Sequence, residues 1–177
     1  FAPALVGDAV WVASADGTVS RLSKASGRSE FSVRLPEKLG AGVGADASLV
    51  VVVSRDGDVI ALDADGKRRW TTPLKGEVVT APSVASGVVL VRTVDGRIVA
   101  LDRGGGTIRW TWQRQIPTLT LRQSSPLVVR DDSIYAGLPS ARVVALDLRL
   151  GAPRWETVIA TPRGATELER LVDIVGS

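Results

Sequence analysis

The sequence contains no cysteine, histidine or methionine, and asparagine is missing as well. These absences exclude a disulfide framework, a thiolate or imidazole metal site, and any Cys–His or Ser–His catalytic pair. Lack of thiols fits any compartment, including an oxidising one where a free thiol would be a liability. Long apolar runs are missing too. A bilayer-crossing helix needs about 18 or more such residues, and the longest runs here, such as Leu49–Val53, are strand-length. Nor is there an excess of one charge. The 22 basic and 19 acidic residues leave +3, and the basic ones are scattered, so a pI near 9.8 does not amount to a nucleic-acid footprint. The chain opens on Phe1, with no initiator Met or signal-type basic region, and a preceding segment is expected to have been removed. What is present, 45% apolar and 23% charged residues over 177 positions, suffices for a packed core.

The informative feature is a repeat. Arg21-Leu22-Ser23, Ala61-Leu62-Asp63, Ala100-Leu101-Asp102 and Ala145-Leu146-Asp147 are each followed by a glycine, at 27, 66, 106 and 151. Four residues after each glycine stands an aromatic: Phe31, Trp70, Trp110 and Trp155, spaced by 39, 40 and 45 residues. Upstream, Asp-Gly recurs at 16–17, 56–57 and 95–96, with Ser140-Ala141 in the fourth copy.

Each unit reads as four short strands. In the third, Ala81–Val84 precedes a turn at Ser86-Gly87, and Val88–Thr93 is mostly β-branched, as a strand covered on both faces should be. Asp95-Gly96 supplies a hairpin turn, since both residues tolerate positive φ. Arg97–Asp102 and Thr107–Thr111 complete the sheet around the turn at Gly104–Gly106. The equivalent central pairs elsewhere are Val10–Ser14 with Val19–Ser23, Leu49–Ser54 with Val59–Asp63, and Ser133–Gly137 with Val143–Asp147.

Four-stranded units of about 40 residues that must stack to cover their apolar faces are β-propeller blades, so the fold class is all-β. The blades are expected over about 3–35, 43–74, 82–112 and 126–159, with 160–177 a loop and the start of a fifth. In this architecture the repeated Leu, Gly and aromatic residues are packing and turn residues. Phe31, Trp70, Trp110 and Trp155 are thus blade-docking residues, and the three indoles should be mostly buried. WD40 repeats carry Gly-His and Trp-Asp, both absent here, and kelch units are longer and marked by a double glycine.

The segments ALDADGKRRW (61–70), ALDRGGGTIRW (100–110) and ALDLRLGAPRW (145–155) resemble the tryptophan-docking repeat of pyrroloquinoline-quinone (PQQ)-type propellers. RLSKASGRSEF (21–31) is a weaker copy. Two irregular segments, IPTLTLRQSSP (116–126) and TPRGATELERLVD (161–173), resemble the two insertions of the BamB family, propeller lipoproteins of the outer-membrane β-barrel assembly machinery of Gram-negative bacteria. That resemblance implies an eight-bladed propeller, of which this chain would be the N-terminal half. It also implies a non-enzymatic scaffold, lipid-anchored at the periplasmic face of the outer membrane, that docks the periplasmic POTRA domains of BamA, assists barrel insertion and meets unfolded outer-membrane proteins.

Read on its own residues, Leu119-Thr120-Leu121-Arg122 alternates in polarity, placing both leucines on one side if extended. Two readings stay open: the leucines pack under the loop, or they form an exposed protein-binding hot spot. The BamB resemblance implies the second, with Leu119, Leu121 and Arg122 contacting BamA. In the other segment Thr166 and Glu169 have capping-box spacing ahead of apolar residues at helical intervals, which predicts a helical turn over about 167–171. The resemblance carries Asp173 over as a BamA-binding residue. The second acidic position of that family surface is Val175 here.

PQQ-type propellers also include quinone-dependent dehydrogenases, the alternative reading, together with a PQQ-repeat module serving another partner. A dehydrogenase site needs calcium held by carboxylate and amide oxygens, a catalytic carboxylate and commonly a vicinal disulfide. The chain has neither Cys nor Asn, and Asp63, Asp102 and Asp147 recur with the repeat as turn acids do. Gly104-Gly105-Gly106 opens no helix, so it is a turn rather than a phosphate loop. No catalytic residue, metal or cofactor is therefore expected. Four blades of eight would leave two bare end faces, and pairing with a second copy is one way to cover them.

Overall fold

The computed structural model describes residues 1–114, 125–139 and 141–160. They form four sheets of four strands, with no helix among them. Sheet 1 holds β1 (Ala4–Val6), β2 (Ala9–Ala13), β3 (Thr18–Ser23) and β4 (Ser29–Arg34). Sheet 2 holds β5 (Gly44–Ala45), β6 (Val50–Val53), β7 (Asp58–Leu62) and β8 (Arg68–Pro73). Sheet 3 holds β9 (Ser83–Ala85), β10 (Val88–Arg92), β11 (Arg97–Asp102) and β12 (Ile108–Gln113). Sheet 4 holds β13 (Val128–Arg130), β14 (Ser133–Leu138), β15 (Arg142–Asp147) and β16 (Pro153–Val158). Every sheet is an antiparallel meander in chain order. The predicted helical turn at 167–171 and the expected opening of a fifth blade lie outside the described residues.

The turns explain the repeat. Gly17, Gly57 and Gly96 close the central hairpins with φ of +98°, +88° and +85°, and Ala141 takes their place at +51°. At the opposite end, the aspartate of each Ala-Leu-Asp triplet caps its own turn. Asp102 Oδ1 accepts the N–H of Gly104 and Gly105 at 2.9 Å, and Asp147 Oδ1 accepts those of Arg149 and Leu150, also at 2.9 Å. Asp63 does the same for Asp65 and Lys67. In all four sheets the register slips at one place, between positions 21/22, 61/62, 100/101 and 145/146, where the third and fourth strands meet the turn.

In sheets 2 and 3 the central strands have no solvent face. In sheet 2, Val50, Val52, Ile60 and Leu62 pack against sheet 1, while Val51, Val53, Val59 and Ala61 pack against sheet 3. Sheet 3 repeats the arrangement, with Val89, Val91, Val99 and Leu101 towards sheet 2 and Val88, Leu90, Ile98 and Ala100 towards sheet 4. Each of the larger side chains is worth about 1.5–3 kcal/mol when buried, and a single sheet would gain little of this. The sheets therefore stabilise one another in sequence.

All connections from one sheet to the next leave from the same end. The N–H groups of Leu35, Leu74, Arg114 and Ile159 donate to the carbonyls of Gly17, Gly57, Gly96 and Ala141, the central hairpins at that end. Residues 35–43 and 74–82 join the first three sheets, nine residues each, whereas 114–127 joins the third to the fourth with fourteen.

Candidate partner-binding site

The joints between sheets come first, because they position everything else. The Trp70 indole N–H donates to the Arg103 carbonyl at 3.0 Å, and the Trp110 indole donates to Leu148 at 3.1 Å. Each ring lies over a glycine of the following sheet. A Cβ built on Gly106 would come within 2.5 Å of Trp70 Cε3, and one on Gly151 would overlap Trp110. The same overlap occurs between Gly66 and Phe31, but a phenyl ring has no N–H to donate. Thr72 Oγ1 adds a hydrogen bond to the Gly106 carbonyl at 2.6 Å.

Trp155 departs from the expected burial. It is 47% exposed, because no described sheet follows sheet 4 to supply a glycine; its ring meets Tyr135 of its own sheet at 5.9 Å. The exposed Gly27 turn is the converse. Among the described residues nothing comes within 4 Å of a Cβ placed there.

Leu119, Leu121, Arg122 and Asp173 lie outside the described residues. Their segments are rooted in what is described. Residues 115–124 leave from Arg114 at the end of β12, and the segment after sheet 4 leaves from Ile159 at the equivalent end of β16. The two roots thus stand on neighbouring sheets, at the same end of the molecule.

Both feet of the longer segment are clamped. Arg114 Nη1 donates to Glu156 Oε2, and Arg142 Nη1 donates to Glu156 Oε1 at 2.9 Å, tying the first residue of the connection after sheet 3 to sheet 4. At the return, Arg92 Nη1 donates to the Ser125 carbonyl at 3.2 Å, and Leu127 enters the core between sheets 3 and 4. Arg92 is itself buried, and burial pushes its guanidinium below the usual arginine range. A fixed base of this kind limits the conformational entropy lost when a loop is captured.

The predicted residues do not include Arg92, Arg114 or Glu156. Arg92 had a signal: it occupies the strand position held by Ala13, Val53 and Gly137 in the other units. A charge inside an apolar strand demands a partner. Among the described residues no group of three or more acidic side chains could hold a metal ion. A cleft of about 480 Å³ at the connection end is bordered by Gly40, Arg55, Asp56, Gly76, Glu77 and Val78.

Four-stranded sheets, each keyed to the next by an aromatic ring on a turn glycine, define a β-propeller of PQQ-type repeats. Against solved structures, the chain superimposes on BamB of Moraxella catarrhalis with a TM-score of 0.89 and 29% identity, over 99% of this chain and 54% of that one. It is 38% identical, over its whole length, to the outer membrane protein assembly factor BamB of Burkholderia pseudomallei, and spans 47% of that relative. A family model described as outer membrane protein assembly factor BamB matches residues 15–177, and the chain belongs to that family. It spans about half the length of the curated relatives it matches. Likeness to the quinohemoprotein alcohol dehydrogenase of Comamonas testosteroni, at 18% identity and a TM-score of 0.70, is likeness of fold alone.

Proposed function

We propose that this chain is a non-catalytic docking scaffold for outer-membrane protein assembly. It works at the periplasmic face of the outer membrane, in a protein held there by a lipid anchor, and it meets unfolded barrel proteins during insertion. Its partner is the periplasmic POTRA region of BamA. Leu119, Leu121 and Arg122 supply the apolar anchors and the charge of the contact, and Asp173 adds an acidic group, with Val175 in place of a second.

The observation that carries this reading is the clamped root at Arg92–Ser125 and Arg114–Glu156–Arg142, beneath the longest of the three connections between the described sheets. A connection five residues longer than needed to join two sheets, on a fixed base, is suited to presenting side chains to another protein. Membership in the BamB family supports this choice of partner. The quinone-enzyme alternative draws no support from Asp63, Asp102 and Asp147, because each is occupied in capping its own turn.

The test is binding of the 177-residue chain to purified BamA POTRA domains, with and without the paired change Leu121→Ala and Arg122→Ala. Binding should be lost while Tm stays within a degree or two, since exposed side chains contribute little to stability. Parallel loss of binding and Tm would show that these residues are core, and unchanged binding would place the contact elsewhere.

A further inference from the structure

One position of the repeat is filled differently at each joint between sheets. Ala64, Arg103 and Leu148 each follow the aspartate of an Ala-Leu-Asp triplet, and the carbonyls of the last two accept the indole N–H of the preceding sheet. Arg103 reaches back from sheet 3 to the β5–β6 turn of sheet 2, where its Nη2 donates to Asp46 Oδ2 at 2.5 Å and to Ser48 Oγ at 2.8 Å. Leu148 is buried in the core between sheets 3 and 4, and the β9–β10 turn of sheet 3 is Ser86-Gly87, without a carboxylate. The side chain at this position thus suits the turn of the preceding sheet, a cation for an acidic turn and an apolar group for a neutral one.

The first joint breaks this pattern. The β1–β2 turn of sheet 1 is Gly7-Asp8, acidic like its counterpart in sheet 2, yet the residue opposite is Ala64. A cleft of about 330 Å³ lies between them, with Gly7, Asp8 and Ala64 on its walls. Val6, Ala9 and Ala47 give it an apolar lining, and Asp46 and Glu30 add carboxylates. Those two are engaged, Asp46 with Arg103 and Glu30 with Arg21 at 3.1 Å. The Asp8 carboxylate is exposed and meets no cation among the described residues, Lys24 included, although the Lys24 N–H donates to the Asp8 carbonyl. Both walls of the cleft belong to described sheets.

We infer that this cleft takes an arginine side chain exposed on another protein, its guanidinium donating to Asp8 and its methylenes lying against Val6, Ala9 and Ala47. The joint between sheets 2 and 3 is the template, since there the chain supplies the same group from its own Arg103. A guanidinium matches a carboxylate with two parallel N–H groups and is more weakly hydrated than an ammonium, so it leaves water for a half-apolar cleft at lower cost than lysine would. The aliphatic stem covers the apolar lining. The cleft opens at the end of the tight turns, whereas the connections leave from the other end. An arginine held here therefore does not compete with a partner bound at the connections, and the inference stands independently of the function proposed above.

Backbone-amide NMR of the intact protein, titrated with the peptide acetyl-Ala-Arg-Ala amide, tests this. The signals of Gly7, Asp8, Ala47 and Ala64 should move and saturate with a Kd on the order of 1–10 mM, the level reached by a ligand this small. The citrulline counterpart, nearly the same in shape and uncharged, should bind about tenfold more weakly. Asp8→Asn, at an exposed position, should weaken the arginine peptide about tenfold and leave Tm within about a degree. Ala64→Arg brings a guanidinium into the cleft from within, as Arg103 does one joint later, and should abolish binding. No saturable response up to about 50 mM peptide would overturn the inference. So would equal binding of the citrulline peptide, or binding that survives both substitutions.

Discussion

The Trp110 indole N–H donates to the carbonyl of Leu148 in the neighbouring sheet at 3.1 Å, and the same ring covers Gly151 of that sheet's turn. One side chain thereby satisfies a polar group and excludes water from the joint between sheets 3 and 4. Trp110→Ala should cost about 2–3 kcal/mol, less than the deletion of a fully buried aromatic, because the ring is only partly buried. Gly151→Ala, which puts a methyl group into the ring at a φ of +68°, should cost more than about 1 kcal/mol. Urea denaturation of the two variants measures both, and an effect within 0.5 kcal/mol (about the noise for surface changes) would refute this role for the joint.

The first joint is the weaker one and can be repaired. Phe31 stands where the later joints have Trp, and Ala64 stands where the next has Arg103. A cleft of about 330 Å³ lies beside them, lined by Trp11, Arg21, Glu30, Asp46 and Ala64 among others. Phe31→Trp should fill part of it and donate to the Ala64 carbonyl, raising stability by about 1 kcal/mol. A lower urea midpoint for this variant would show that the cleft cannot take an indole.

Acid should destabilise the chain in a definite window. Asp102 is held below the usual carboxylate range by Arg109 and then by its turn amides, and Asp147 likewise by Arg154. Asp16 is lowered to about 2, chiefly by the Ser14 hydroxyl and the Thr18 N–H. A folded pKa below the unfolded value of about 4 gives stability that is present above that pH and lost as pH falls through the depressed values. With no histidine to titrate, Tm should be flat from about pH 8 to 5 and drop below about pH 4. The drop should shrink at high salt, since these carboxylates are solvent-facing. An inflection near neutrality would contradict the assignment.

Glu156 holds two arginines, Arg142 of its own sheet and Arg114 of the connection after sheet 3, and its side chain is only 23% exposed. Glu156→Ala removes the counter-charge that Arg114 and Arg142 share, which should cost about 1–2 kcal/mol. A double-mutant cycle with Arg114→Ala should show positive coupling. Strict additivity would mean that the contact contributes nothing to the joint.

The sheets were legible in the sequence because their determinants are local. Val88–Thr93, Asp95-Gly96 and Arg97–Asp102 encode a hairpin within fifteen residues, and the observed β10 and β11 follow them closely. Docking of Phe31, Trp70 and Trp110 depends on a glycine some 35 to 41 residues away, and the regular spacing of the repeat made that visible. The exposure of Trp155 was not visible, because it depends on what stands next to sheet 4 rather than on anything near residue 155. Arg92 was passed over for a related reason: its partner Ser125 is 33 residues away and outside the repeating pattern. Leu119, Leu121, Arg122 and Asp173 owe their selection to family likeness, since alternating polarity alone left two readings of the first three.

The gathering of every sheet-to-sheet connection at one end has a consequence for how such molecules diversify. One end consists of tight turns whose backbone is committed to aspartate caps and aromatic seats, so an inserted residue there would shift the register of a whole sheet. The other end carries the linking segments, where doubling a length costs only about 0.6 kcal/mol in closure entropy. Lineages can therefore lengthen one link at a time, acquiring or discarding a binding surface while the strands beneath keep their registers. New contacts arising this way accumulate on a single side, and several short insertions from adjacent links can merge into one surface.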